Sequence, residues 1–163
     1  MITGVHHVGQ VVEDFEAALS LYTDVLGATV FEQRDVTAGD EGNGGTAENG
    51  TGNDPGDPND PAVRMAFTEV PGCQVHLIAR ERRGTDIDSL LDSLLAVSPY
   101  HVAYAVPDMV EAIARAEEAD FAMYDTEPVS GLGPYERAFA DPESMPGIPV
   151  EFVEPLDAAV ALG

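Results

Sequence analysis

His7, His76, His101 and Glu151 are the residues of this sequence whose types and placement could do chemistry. Two of them open the same pattern. The first copy reads His7-Val8-Gly9-Gln10-Val11-Val12-Glu13-Asp14, followed by Phe15-Glu16-Ala17-Ala18-Leu19. The second reads His101-Val102-Ala103-Tyr104-Ala105-Val106-Pro107-Asp108, followed by Met109-Val110-Glu111-Ala112-Ile113. In one register His7/His101, Val8/Val102, Val12/Val106, Asp14/Asp108 and Ala18/Ala112 are identical, and Leu19/Ile113 is conservative. A duplicated strand-then-helix unit that starts each time with an inward-pointing histidine can build a metal site on its internal pseudo-symmetry. Neutral imidazoles with one carboxylate suit a borderline divalent ion: Zn, Mn, Fe, Co or Ni.

Side chains on a strand alternate faces. His7 therefore shares a face with Val5, Gly9 and Val11, and His101 with Ala103 and Ala105. The small residues Gly9, Ala103 and Ala105 leave space beside the imidazoles. Glu151 sits in Ile148-Pro149-Val150-Glu151-Phe152-Val153, where a buried carboxylate without a partner is costly. His76 lies in Gln74-Val75-His76-Leu77-Ile78. The interval from His7 to His76 exceeds that from His101 to Glu151, and a glycine-rich stretch in the first half accounts for the excess. With that stretch removed, His76 and Glu151 are counterparts on the last strand of each unit. His6, next to His7, is expected on the opposite face as a structural or exposed residue.

The elements that must position these groups follow from patterning. Residues 4–12 are valine-rich and read as a strand. Asp14 is an N-cap for a helix from about Phe15 to Leu26, stopped by Gly27. Residues 28–36 form a second strand. Residues 38–62 are rich in Gly, Pro, Asp and Asn, offer almost no apolar side chains, and are expected to form a disordered insertion. Strands at 63–69 and 74–80 are joined by a turn at Pro71-Gly72, and a short amphipathic helix spans 86–96. The second half repeats the order: a strand at 100–106, a helix at 108–118, and strands near 121–125, 136–140 and 148–153. Each half is β-α-β-β-β. The expectation is a single α+β domain of paired βαβββ repeats, at about 3–80 and 99–154, whose half-barrels bring the four side chains to a common centre.

Composition narrows the function classes. The 163 residues are 44% hydrophobic, enough for a core. No apolar run approaches the length of a membrane span, and the N-terminus lacks a signal-peptide layout, so a cytoplasmic location is expected. Cys73 is the only cysteine, which excludes an internal disulfide and a cysteine-rich zinc site. Thirty acidic residues face seven basic ones, all arginine, for a net charge of −23. That balance excludes nucleic acid and anionic membranes as partners. It reads as adaptation to concentrated salt, where such self-repulsion is screened.

The first motif, continued by Ala18-Leu19-Ser20-Leu21-Tyr22-Thr23-Asp24-Val25-Leu26-Gly27, resembles the opening of the vicinal oxygen chelate superfamily, which includes glyoxalase I, extradiol dioxygenases and methylmalonyl-CoA epimerase. Towards the end, Pro128-Val129-Ser130-Gly131-Leu132-Gly133 and then Phe139-Ala140-Asp141-Pro142-Glu143-Ser144-Met145-Pro146-Gly147-Ile148-Pro149-Val150-Glu151-Phe152 resemble the epimerase branch. The branch has a Pro-x-x-Gly-x-Gly turn and a Phe-x-His-Pro-x-Ser-x-x-Gly-Val-x-Ile-Glu-Leu segment.

This resemblance implies a glyoxalase-like half-open barrel and a divalent metal (Co, Ni, Mn, Zn or Fe). It implies ligands at His7, His101 and Glu151, and His76 at the family's second position, where glutamine or glutamate is usual. It implies an enzyme that stabilises an enolate beside the metal, with an acyl-CoA as the small-molecule substrate, and a homodimer. Glu151 and His76 are the candidate catalytic acid and base, with Glu32 and Glu69 as further candidates. Arg80, Arg82 and Arg83 either contact CoA phosphates or balance nearby acids. Departures are His76, Asp141 for the usual histidine, and Pro134-Tyr135 where small residues are common; Tyr135 is expected to narrow the pocket. The alternatives are a glyoxalase-type lyase, an extradiol-type dioxygenase, and a non-catalytic bleomycin-resistance-like binding protein.

Overall fold

The computed structural model describes residues 1–37, 60–131 and 133–156. Among these residues, eight strands and three α-helices follow in chain order: β1 (Gly4–Val11), α1 (Phe15–Ser20), β2 (Thr29–Thr37), β3 (Pro61–Val70), β4 (Cys73–Arg80), α2 (Asp88–Leu95), β5 (Tyr100–Ala105), α3 (Met109–Glu118), β6 (Val129–Ser130), β7 (Tyr135–Phe139) and β8 (Val150–Pro155). This is an α+β fold in which β-α-β-β-β occurs twice. The chain divides into two compact units, one of Gln10–Asp92 and one of Met1–Gly9 with Ser93–Gly163.

In the Gln10–Asp92 unit, β2, β3 and β4 form an antiparallel meander. α1 covers one face of it. Phe15, Ala66, Val75, Leu77 and Ala79 form the buried cluster, with Val12, Ala18, Leu19, Tyr22 and Val70 packed around it. The helix starts where its cap does: Asp14 accepts a hydrogen bond from Ala17 N–H at 2.9 Å. It ends as an α-helix at Ser20, earlier than the periodicity predicts, and continues as a π-helical turn over Leu21–Val25. The Thr23 hydroxyl donates to the Leu19 carbonyl at 3.0 Å, a local competitor of the kind that bends helices. Leu26 N–H bonds Leu21 O, five residues back. Gly27, at φ 71°, then turns the chain into β2.

The expected insertion at 38–62 lies outside the described residues up to position 59; its last residues do not belong to it, since β3 already begins at Pro61.

In the other unit the strand order is β1-β5-β8-β7-β6. β5 and β8 are parallel, and β7 is antiparallel to both β8 and β6. One face carries α3: Val106, Met109, Ala112, Ile113 and Ala138 are buried together, with Met123 and Phe152 against them. Asp108 caps α3 through Glu111 N–H at 2.8 Å. The strand expected at 121–125 is reduced to a single bridge, Met123 to Ala140. The Asp125 carboxylate takes the Phe139 N–H at 2.9 Å, while Phe139 O accepts from the amides of Tyr124 and Asp125. A side chain thus occupies the donor that a continuing ladder would need.

Candidate metal centre

The opposite face of the same sheet carries the chemistry. In the parallel β5–β8 register Ala103 lies beside Glu151, and in the β7–β8 register Phe139 lies beside it on the other side. His101, two residues before Ala103, shares its face. β1 is the neighbour of β5 and contributes His7 and Gly9. Burial alternates accordingly: His7, His101 and Glu151 are 2%, 3% and 2% exposed, a depth at which polar groups need partners.

His7, His101 and Glu151 each offer one ligand atom within 4.8 Å of the other two. Glu151 Oε2 lies 3.1 Å from His7 Nε2 and 3.3 Å from His101 Nε2. At those distances the carboxylate lies within hydrogen-bonding reach of both rings. The three atoms are gathered close together. Burial opposes ionisation of Glu151, but the His101 and His7 imidazoles outweigh it and hold the carboxyl below the usual carboxylate range.

Neighbouring residues shape the cluster. A Cβ on Gly9 would lie 1.8 Å from His101 Cε1, so the His101 ring fills the space that this glycine leaves open. Phe139 meets that ring edge to face at 5.0 Å between centroids. His7 Nδ1 lies 2.8 Å from His6 Nδ1. His6 was expected on the opposite face, as a structural or exposed residue, because adjacent strand residues point apart. Nδ1, however, is close to the backbone end of the ring, so two neighbouring imidazoles can meet there without sharing a face. Burial first and then His7 lower the His6 pKa, with Glu151 acting the other way. The His6-His7 doublet was the sequence signal for this contact.

Tyr135 is buried with Ala103 and Val153. Its ring lies edge-on to His6, 5.0 Å between centroids. Cβ atoms on Gly131 and Gly133 would fall 2.1 and 2.8 Å from that ring, so the Gly-x-Gly turn is the seat of Tyr135.

The remaining sequence candidates have their own local surroundings. His76 belongs to the Gln10–Asp92 unit, where it is 4% exposed, packs edge-on against Phe67 at 4.6 Å and has Nε2 3.4 Å from Gln74 Oε1. Glu32 pairs with Arg34, and Glu69 is exposed. Arg80 and Arg83 both bind Asp92, at 2.9 and 2.8 Å, and Arg82 donates to the Asp60 carbonyl. Of the three, Arg80 and Arg83 thus have an acid beside them. Asp141 caps the 3-10 turn Pro142–Ser144 by accepting from Glu143 N–H at 3.1 Å.

Two imidazoles and one carboxylate, buried, convergent and seated against a glycine, are a donor set that fits a borderline divalent cation. Fold and donor set together define a protein of paired βαβββ modules with a His-His-Glu centre. The chain belongs to the Glyoxalase/Bleomycin resistance protein/Dioxygenase superfamily, whose sequence profile matches residues 6–139. It is 27% identical over 152 residues to an ethylmalonyl-CoA/methylmalonyl-CoA epimerase of Cereibacter sphaeroides, spanning 93% of this chain and 97% of that protein. Among solved structures it resembles a methylmalonyl-CoA epimerase from Mycobacterium tuberculosis, with a TM-score of 0.65, 23% identity, and coverage of 98% of this chain and 93% of that one. It also resembles a Streptomyces coelicolor methylmalonyl-CoA epimerase in complex with 2-nitronate-propionyl-CoA, with a TM-score of 0.63, 20% identity, and coverage of 96% and 100%. The structural likenesses establish the glyoxalase-like fold. The named relatives are epimerases, which supports reading this chain as an enzyme.

Proposed function

We propose that the protein is a metal-dependent isomerase that moves the α-proton of an acyl-CoA thioester, methylmalonyl-CoA being the type substrate. The observation that carries this reading is the buried Glu151 Oε2, flanked at 3.1 and 3.3 Å by the His7 and His101 imidazole nitrogens in one convergent donor cluster. His7, His101 and Glu151 would hold the ion. When bound, a divalent cation supplies positive charge that offsets the charge developing as a proton leaves the carbon next to a carbonyl.

Inversion at carbon requires a proton to leave one face and another to arrive on the other, hence two proton-transfer groups. Glu151 and His76 are proposed for these roles, His76 alternatively as a fourth ligand. His76 is supported by its burial and by its place on β4, the last strand of its module, as Glu151 is on β8. The 27% identical epimerase, aligned over nearly the whole chain, supports the substrate class. A homodimer, implied by the family resemblance, belongs to the same proposal and is read by sedimentation.

The test is solvent exchange. Metal-loaded protein in deuterated, concentrated salt solution is expected to wash deuterium into the α-position of methylmalonyl-CoA. Glu151→Gln should slow this by at least the ~10²-fold typical of a lost general acid or base. Absence of exchange from any acyl-CoA, with turnover of a hemithioacetal instead, would replace the isomerase by a lyase of the same superfamily.

One observation favours a second reading. Two histidines and one carboxylate are also the ligand set of non-haem iron oxygenases. Oxygen-dependent cleavage of a catechol by the iron-loaded protein would establish it.

A further inference from the structure

We propose that Asp125 is a positioning residue for the metal centre: it clasps the backbone of Phe139, and the Phe139 ring in turn fixes the direction of the His101 imidazole. This inference rests on the metal-site reading of His7, His101 and Glu151.

Phe139 is the last residue of β7 and lies beside Glu151 in the β7–β8 register. On its other side Asp125 engages both of its backbone groups. The Asp125 carboxylate accepts from Phe139 N–H at 2.9 Å. The amides of Asp125 and Tyr124 donate to the Phe139 carbonyl at 3.2 and 3.0 Å. The same carboxylate oxygen accepts from Arg137 Nη1 at 3.1 Å. Arg137 is two residues before Phe139 and shares its face. Its guanidinium carbon is 5.4 Å from the Phe139 ring centroid, within cation–π range. One oxygen atom therefore holds the Phe139 backbone and also the cation set against the Phe139 ring. The Asp125 and Arg137 side chains are 13% and 17% exposed. An ion pair this deep is weak evidence for stability, because desolvation offsets its attraction. What it does supply is a fixed direction.

That direction is passed to a ligand. The buried Phe139 ring meets the buried His101 ring at 5.0 Å between centroids, with the planes inclined by 74°. This is a preferred aromatic geometry, so a displaced Phe139 turns the imidazole with it. Gly9 already bounds His101 at Cε1. Between them, Gly9 and Phe139 set where His101 Nε2 lies, 3.3 Å from Glu151 Oε2. Metal sites depend on outer partners that orient their ligands. Here the support runs from Asp125 to Phe139 to His101.

The experiment is Co(II) titration against a competing chelator, read with the absorption spectrum of the bound ion, together with proton NMR of the metal-free protein. Asp125→Ala should weaken Co(II) binding about tenfold, the low end for a lost outer partner, and alter the spectrum. Asp125→Asn keeps an oxygen for Phe139 N–H and should retain most of the affinity. Asp108→Ala removes a helix cap in the same unit and should leave Co(II) affinity unchanged, which separates placement from general destabilisation. Without metal, the His101 ring protons should shift in Asp125→Ala in the direction they shift in Phe139→Leu, which deletes the ring current. Unchanged affinity in Asp125→Ala, an equal loss in Asp125→Asn or Asp108→Ala, or His101 ring protons that stay at their wild-type positions would overturn the proposal. If Asp125→Ala does not fold with Arg137 left behind, the double variant Asp125→Ala/Arg137→Met, which orphans no charge, is held to the same outcomes. A wild-type chain that binds no Zn(II), Co(II), Mn(II), Ni(II) or Fe(II) would instead overturn the metal-site reading, while the NMR comparison still decides whether Asp125 places His101.

Discussion

At the scale of single residues, the centre depends on an atom that is missing. Gly9 stands in the first repeat where Ala103 stands in the second, and the His101 ring lies within 1.8 Å of the position a Gly9 Cβ would take. No rotation of a methyl group relieves that contact, so Gly9→Ala must push the imbedded ring away from Glu151. Overpacking of this kind costs about 1–3 kcal/mol, and the displaced Nε2 should lower divalent-metal affinity by at least about tenfold, or ~1.4 kcal/mol. Gly4→Ala is the control on the same strand, because nothing lies within 4 Å of its Cβ position. Equal metal affinity in the two variants would show that the His101 position is not set by Gly9. The duplicated motif made His7 and His101 legible, and a costly carboxylate in an apolar strand made Glu151 legible. The glycine was legible only as "small". Which ring it seats is a matter of the β1–β5 approach, and that is a tertiary fact. His6 meets His7 across faces because face alternation describes Cβ directions and not where a ring nitrogen close to the backbone can reach.

At the scale of elements, local chemistry was readable wherever one side chain serves one backbone group. Asp14 caps the helix it was expected to cap, and Asp108, its counterpart in the repeat, does the same for α3 rather than forming its first residue. Asp108→Ala removes the bond to Glu111 N–H and should cost about 1 kcal/mol of stability, as N-cap losses typically do. Urea unfolding monitored by circular dichroism would measure it, and a change near zero would mean that water or a neighbour replaces the cap. Where two groups compete for the same backbone partner, patterning failed. The apolar periodicity from Phe15 to Leu26 is real, but the Thr23 hydroxyl bonds the Leu19 carbonyl and the turn widens. The run at 121–125 has the composition of a strand, but the Asp125 carboxylate takes the Phe139 amide and leaves one bridge. Asp125 also binds Arg137 at 3.1 Å, with both side chains mostly buried. Its partners lie on β7, too far along the sequence for a local pattern to connect them.

At the scale of the whole molecule, the charge is the dominant property, and the ion pairs show how little of it is cancelled. Arg34, Arg64, Arg80, Arg83, Arg115 and Arg137 each lie against an acid, and Arg80 and Arg83 share Asp92. With 30 acidic residues and seven arginines in the chain, most carboxylates have no cation of their own to meet. Their mutual repulsion acts over the Debye length, about 10 Å at 0.1 M salt and about 3 Å at 1 M. Raising the salt weakens the exposed arginine pairs as well, but pairs of that kind contribute little individually, whereas the repulsion sums over the whole surplus. The balance therefore favours the folded chain as salt increases. The melting temperature is expected to rise from dilute buffer to molar KCl at neutral pH, and to rise again in dilute buffer when the pH is lowered toward the sequence pI of about 4.1, where the surplus is neutralised. An equimolar neutral osmolyte in place of KCl separates screening from a general solute effect. If the chain melts higher in dilute buffer than in molar KCl, the acidic surface is not an adaptation to salt and the repulsion is offset by contacts that salt disrupts.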